Sequence, residues 1–172
     1  MNTLFNLNYF KVKFIYTITL SALLLSCANT NQSVVKSDDE LSSTINLLFE
    51  KYVANDWELS DYYADDVIAR VNNQELNGYE NLIAGYKTHH ELLYNNISVD
   101  ELYVHTNYFS DGEVWSNSWF TWSAVGKTTG EEYTNRAHFD YKWENGKIVE
   151  MLAYYSEYAD LKESAALQAA QE

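Results

Sequence analysis

The dipeptide Asn145-Gly146 constrains this chain more than any other feature. It is the preferred pair for a two-residue type I′ hairpin, which needs positive φ at both places, and it stands between two strand-like runs, 132–143 and 147–155. A hairpin closed there pairs Glu144 with Lys147 and sets a register by counting: Trp143 faces Ile148, Tyr141 faces Glu150, Phe139 faces Leu152, Ala137 faces Tyr154 and Asn135 faces Ser156. Side chains alternate strictly along a strand, so one slipped residue would exchange the two faces. In this register the listed face carries the larger apolar groups and is expected to turn inward, with Asn135, Tyr154 and Ser156 at its polar end. Glu150 beside Tyr141 is then a carboxylate in an apolar setting, where a raised pKa would suit an acid or base.

Two more strand-like runs precede the hairpin, 97–109 and 113–125, parted by the turn Ser110-Asp111-Gly112. Carrying the register across the loop Gly126–Gly130 by pairing Val125 with Glu131 puts Trp115, Asn117, Trp119 and Thr121 on the inner face. Phe120 and Trp122 fall outside, where aromatics would make an apolar patch suited to a homodimer contact.

The N-terminal half reads as helix. Ser37-Asp38-Asp39-Glu40 has capping-box spacing, and Leu41, Ile45, Leu48 and Tyr52 follow at helical intervals to about Asn55. A short helix over Leu59 to Tyr63 and a brief strand from Val67 to Val71 come next. Leu82, Ile83, Tyr86, His90 and Leu93 then mark one face of a long helix that stops at Asn95-Asn96. Helices first and a long meander after predict an α+β fold, with helices covering one face of a mainly antiparallel sheet.

The first 26 residues differ. Lys11 and Lys13 precede an uncharged run from Phe14 to Ser26, which is shorter than the roughly 20 residues a spanning helix needs and has the make-up of a secretory signal. Its end, Leu24-Leu25-Ser26-Cys27, resembles the lipobox of bacterial lipoproteins, which implies lipid on Cys27, the sole cysteine. The expected layout is a signal peptide over 1–26, a tether over 27–37, a domain over 38–162 and a tail over 163–172 that could be helical. The expected location is the bacterial cell envelope, anchored to a membrane, with the outer membrane favoured and a periplasmic or surface-facing domain. The formal net charge is −14, and loss of the signal's lysines makes it more negative, so nucleic acid is not an expected partner.

Asp56-Trp57 after the first helix, YADDV over 63–67 and NGKIVEMLAYYSEYADL over 145–161 together resemble the SnoaL-like branch of the nuclear transport factor 2-like superfamily. The resemblance runs from about residue 40 to 162. It implies a cone: three N-terminal helices closing a curved sheet of about six strands around a cavity, commonly dimerised through the outer sheet face. It also implies where catalysis would reside. The base of ketosteroid isomerase, the acid/base aspartate of SnoaL-type cyclases and the pocket acid of scytalone dehydratase would fall at Val71, Ser156 and Val53, none of which can accept a proton near neutral pH.

His89 and His90 are adjacent and so cannot both enter one metal site on a helix. His90 lies on the apolar stripe and, with Glu150, is a weak candidate for catalysis. No metal or cofactor motif stands out. The function expected from the sequence is therefore a membrane-anchored lipoprotein whose domain binds a small, partly apolar ligand without catalysis. Its pocket residues would be Tyr52, Tyr86, His90, Trp115, Trp119, Asn135, Tyr154 and Ser156. An isomerase, dehydratase or hydrolase with an unidentified substrate is one alternative, and a dimeric interaction module without ligand is the other.

Overall fold

A computed structural model describes residues 32–172. The expected signal peptide and the lipidation site Cys27 lie outside these residues.

Seven strands form one sheet in the order β1-β4-β5-β6-β7-β2-β3. In chain order the elements are β1 (Val34–Lys36), α1 (Glu40–Val53), β2 (Tyr63–Val71), β3 (Gln74–Asn77), α2 (Tyr79–Thr88), β4 (Tyr94–Tyr108), β5 (Val114–Gly126), β6 (Glu132–Glu144), β7 (Lys147–Tyr154) and α3 (Tyr158–Ala169). A π-helical turn, His89–Leu93, extends α2. The fold is α+β as expected, with three helices on a mixed sheet, but only α1 and α2 precede the meander. The third helix, α3, closes the chain.

Three local readings change. Residues 59–62 make a turn, with Tyr62 N–H bonded to Leu59 O, and β2 runs from Tyr63 beside β7 as the parallel pair of the sheet. Part of the expected tether is strand, because the β-branched Val34 and Val35 pair with Tyr108 and Asn107 at the sheet edge. The cap of α1 is Asp39 rather than Ser37: its carboxylate accepts from Ser42 N–H at 3.0 Å.

The register explains the main correction. Asn145 and Gly146 do take positive φ, 51° and 78°, and Trp143 pairs with Ile148. Past that point Val149 is a bulge, so Lys142 pairs with Glu150, Tyr141 with Met151 and Phe139 with Ala153. Trp143, Tyr141, Phe139, Ala137 and Asn135 keep the inner face expected of them. On β7 the inner residues become Met151 and Ala153, with Tyr155 continuing that side, while Glu150, Leu152 and Tyr154 turn outward.

On β5 the pairing is Val125 with Glu132, one residue beyond the expected partner. Phe120 and Trp122 are therefore inside, and Trp115 and Trp119 are outside. Phe120 is 6% exposed and Trp119 is 42% exposed, which reverses the expected division between cavity and dimer contact. The cause lies in α3. Glu163, fully buried, reaches into the β5–β6 loop and accepts from Thr128 N–H at 3.0 Å, Tyr133 O–H at 2.8 Å and the Thr129 hydroxyl. A Cβ on Gly126 would collide with that carboxylate, so the loop closes around Glu163 only with glycine there.

Two bulges in β4, at 95–98 and 100–103, with Asn96 and Glu101 at positive φ, curl the sheet toward the helices. α1 fills the concave side: Phe49 meets Phe120 edge-on at 4.6 Å, and Phe120 meets Phe139 at 5.1 Å. Beside this apolar contact runs a buried polar ladder. Ser42 Oγ lies 2.9 Å from Thr106 Oγ1, which lies 2.8 Å from Ser116 Oγ, and Trp143 Nε1–H donates to Ser116 at 2.8 Å. Removing one rung strands the others without water. Ser116→Ala is expected to cost about 2 kcal/mol in a urea melt, and an unchanged midpoint would show that the ladder carries no stability.

Candidate functional site

The concave face and helices α1 to α3 enclose a cavity of about 420 Å³. Small residues leave the space: Ala137 on β6, Ala153 on β7 and Gly85 on α2 all border it. Its deep walls are apolar or aromatic, from Leu48, Phe49, Leu59, Tyr63, Leu82, Phe120, Tyr141 and Met151. Burial pushes the phenols of Tyr63, Tyr86 and Tyr141 upward, so at neutral pH they are hydrogen-bonding groups and not bases. Tyr86 illustrates the point by donating to Met151 Sδ at 3.2 Å.

One wall is polar, and its hydrogen bonds have a fixed direction. Trp122 Nε1–H, a donor only, gives to Tyr52 Oη at 3.2 Å, and Tyr52 Oη lies 3.0 Å from His89 Nδ1. With one lone pair engaged by Trp122, the arrangement in which Tyr52 donates its own proton to Nδ1 satisfies all three groups. Burial lowers the His89 pKa from 6.5 against the opposing charge of Asp160, so the imidazole is neutral and its hydrogen sits on Nε2. That nitrogen is 3.8 Å from Asp160 Oδ1, too far for a hydrogen bond. Asp160 accepts from Tyr94 O–H at 2.6 Å. The Tyr155 phenol is pushed well up by burial and then by the charge of Asp160, and both it and Asp160 border the cavity.

The tautomer is a direct test. Nitrogen-detected NMR of His89 at neutral pH is expected to show a protonated Nε2 and a bare Nδ1. The sign of the pH dependence follows: the folded pKa is below the unfolded one, so His89 costs nothing above pH 6.5 and destabilises the fold as pH falls from there through its folded value. A charged or inverted imidazole at neutral pH would contradict the chain of donors.

Of the residues expected in the pocket, Tyr52, Tyr86, Asn135 and Ser156 border the cavity. Asn135 and Ser156 satisfy one another, with Asn135 Nδ2 donating to Ser156 O at 2.8 Å and Ser156 N–H returning to Asn135 Oδ1 at 3.4 Å. Trp115, Trp119 and Tyr154 are on the convex face for the register reasons above. Glu150 is there too, paired with Arg70, and has no apolar pocket in which to act. His90 does not border the cavity, whereas its neighbour His89 does. His90 instead packs on Trp57 at 5.3 Å and Tyr52 at 5.2 Å, its Nε2 buried without a partner. Val71 borders the cavity and Val53 is exposed, so the aligned catalytic positions hold no acid or base in either place.

His89, Trp122, Tyr155 and Asp160 are not among the pocket residues expected from the sequence, and Trp122 was expected on the outer face. Only the pair His89-His90 signalled a histidine there, and helical spacing from Tyr86 suits three as well as four. Among the described residues no three His, Cys, Asp or Glu side chains gather as a metal site would require.

No protein-family model matches the sequence, and no curated protein matches it. Solved structures do. A candidate polyketide cyclase from Silicibacter sp. TM1040 superposes with a TM-score of 0.60 at 16% identity, covering 71% of this chain and 93% of that one. A candidate polyketide cyclase from Xanthomonas campestris pv. campestris gives 0.57 at 18% identity over 73% and 95%. A protein of ketosteroid isomerase-like fold from Catenulispora acidiphila, in complex with trimethylamine, gives 0.52 at 16% identity over 70% and 91%. With two helices ahead of a curled meander, a third behind it and a cavity between them, the chain has the nuclear transport factor 2-like fold of the SnoaL-like and ketosteroid isomerase-like proteins.

Proposed function

We propose that the domain is a small-molecule binding module, holding a partly apolar ligand in the cavity between α1, α2 and the concave sheet. The observation that carries this is the division of the cavity into an apolar depth and one hydrogen-bonding wall, at a volume of about 420 Å³. Pockets that take small ligands combine those features at volumes of roughly 300–1,000 Å³. The complex of the Catenulispora relative with trimethylamine supports a small molecule in this fold.

The binding reading is favoured over catalysis because the positions aligned with the family's acids and bases are Val71, Ser156 and Val53. A specific observation supports the second reading: a neutral His89 beside Asp160 could accept or relay a proton. Discrimination is direct, because a binding module returns its ligand unchanged and an enzyme does not.

The module is placed at the cell envelope by lipid on Cys27. It pairs as a homodimer through the convex face, where Tyr103, Trp119 and Tyr154 are exposed. Native mass spectrometry of the protein purified from its own host tests these points together. A retained small molecule, absent from an Ala153→Phe variant that fills the cavity, is the expected result, with a dimer mass and an acyl adduct lost in Cys27→Ala. A ligand held equally by the filled variant would place binding elsewhere. A monomer, or an unacylated Cys27, would remove the corresponding claim.

A further inference from the structure

We infer that the ligand presents a hydroxyl group on an otherwise apolar body, and that this hydroxyl sits between His89 Nε2 and the carboxylate of Asp160. The inference rests on the cavity being the ligand site and adds the chemistry of its polar wall. With Tyr52 donating to Nδ1, His89 turns its Nε2–H toward Asp160 Oδ1, an oxygen that also accepts from Tyr94, across a gap of 3.8 Å. Neither partner is sealed off: His89 is 23% and Asp160 25% exposed, and both border the cavity.

Only a group that accepts and donates at once completes this gap. An oxygen about 2.8 Å from each side bridges a gap of this length. A hydroxyl accepts from Nε2–H and donates to the carboxylate. A ketone accepts but leaves its lone pairs against Asp160. An ammonium donates but has nothing to offer Nε2–H, and a carboxylate places like charges together. The rest of the ligand meets Tyr52, Tyr86, Trp122 and Met151, which suit a compact hydrocarbon frame.

Calorimetric titration of the intact protein with cyclooctanol, cyclooctanone and cyclooctylammonium isolates the polar group on one frame. Cyclooctanol is expected to bind about tenfold more tightly than the ketone, since a hydrogen bond to a charged acceptor carries that difference. In Asp160→Asn the preference should shrink to about twofold while the ketone's affinity holds. A ketone or ammonium bound as tightly as the alcohol overturns the inference but leaves the cavity as a binding site. So does an Asp160→Asn variant that weakens all three probes alike, which would mark Asp160 as structural. If none of the three binds, the cavity reading itself fails and the hydroxyl goes with it.

Discussion

Phe120→Ala is expected to cost about 4 kcal/mol of stability, whereas Trp119→Ala, one residue away and removing a larger side chain, is expected to cost about 1 kcal/mol or less. The difference follows from the face each occupies. Phe120 touches Phe49 and Phe139 in the core, so truncation leaves a cavity that packed neighbours cannot fill. Trp119 stands on the convex sheet between His138, at 4.4 Å, and His105, at 5.2 Å, and its loss exchanges stacking for solvent. Equilibrium urea unfolding reads both, and at this chain length 4 kcal/mol corresponds to a fall of about 8–16 °C in Tm. The opposite ranking would mean that β5 is slipped by one residue and that the cavity described above is lined differently.

Glu163→Ala is expected to cost about 3 kcal/mol, an unusual loss for a glutamate near a C-terminus. It would leave the Thr128 and Thr129 amides and the buried Tyr133 hydroxyl without their acceptor. Those donors are also why the carboxyl is held below 4.5 although burial alone would raise it. The linkage has a definite direction. A depressed folded pKa contributes stability that is complete above the unfolded value near 4.5 and is lost as pH falls through the folded value. Glu163→Gln should therefore destabilise the protein at neutral pH and flatten its acid limb. Wild-type and Gln variants with parallel acid limbs would show that Glu163 does not hold the loop.

The same carboxylate marks where reading the sequence stops. The inner face of β6 was legible because Asn145-Gly146 is a local signal that fixes its own hairpin. The register of β5 was not, because Gly126 to Gly130 is shaped by a side chain more than 30 positions away. β7 failed for a different reason: Val149 bulges without glycine or asparagine to announce it. Tyr52 and Tyr86 were found by helical spacing, which could not choose between His89 and His90, while Asp160 required α3 to fold back. Helix and strand existence is written in periodicity, but the polar wall is assembled from α1, α2, β5 and α3 by contacts no periodicity encodes.

On the convex face Asp140 is bonded by His138 at 2.7 Å and by the Asn117 amide, whereas His105 Nδ1, on the ring stacked against Trp119, is buried without a partner. The exposed aromatics Tyr103, Trp119 and Tyr154 give the surface assigned to pairing its apolar character.

The chain contains two methionines, Met1 and Met151, and Met151 borders the cavity. Methyl-¹³C methionine labelling therefore places one reporter inside the proposed ligand site, with the Trp119 indole N–H as a reporter on the convex face. Titration with cyclooctanol is predicted to move the Met151 methyl resonance saturably and leave the Trp119 indole unmoved. A Met151 resonance that stays fixed while the Trp119 indole shifts would contradict the claim that this cavity is where the protein binds its ligand.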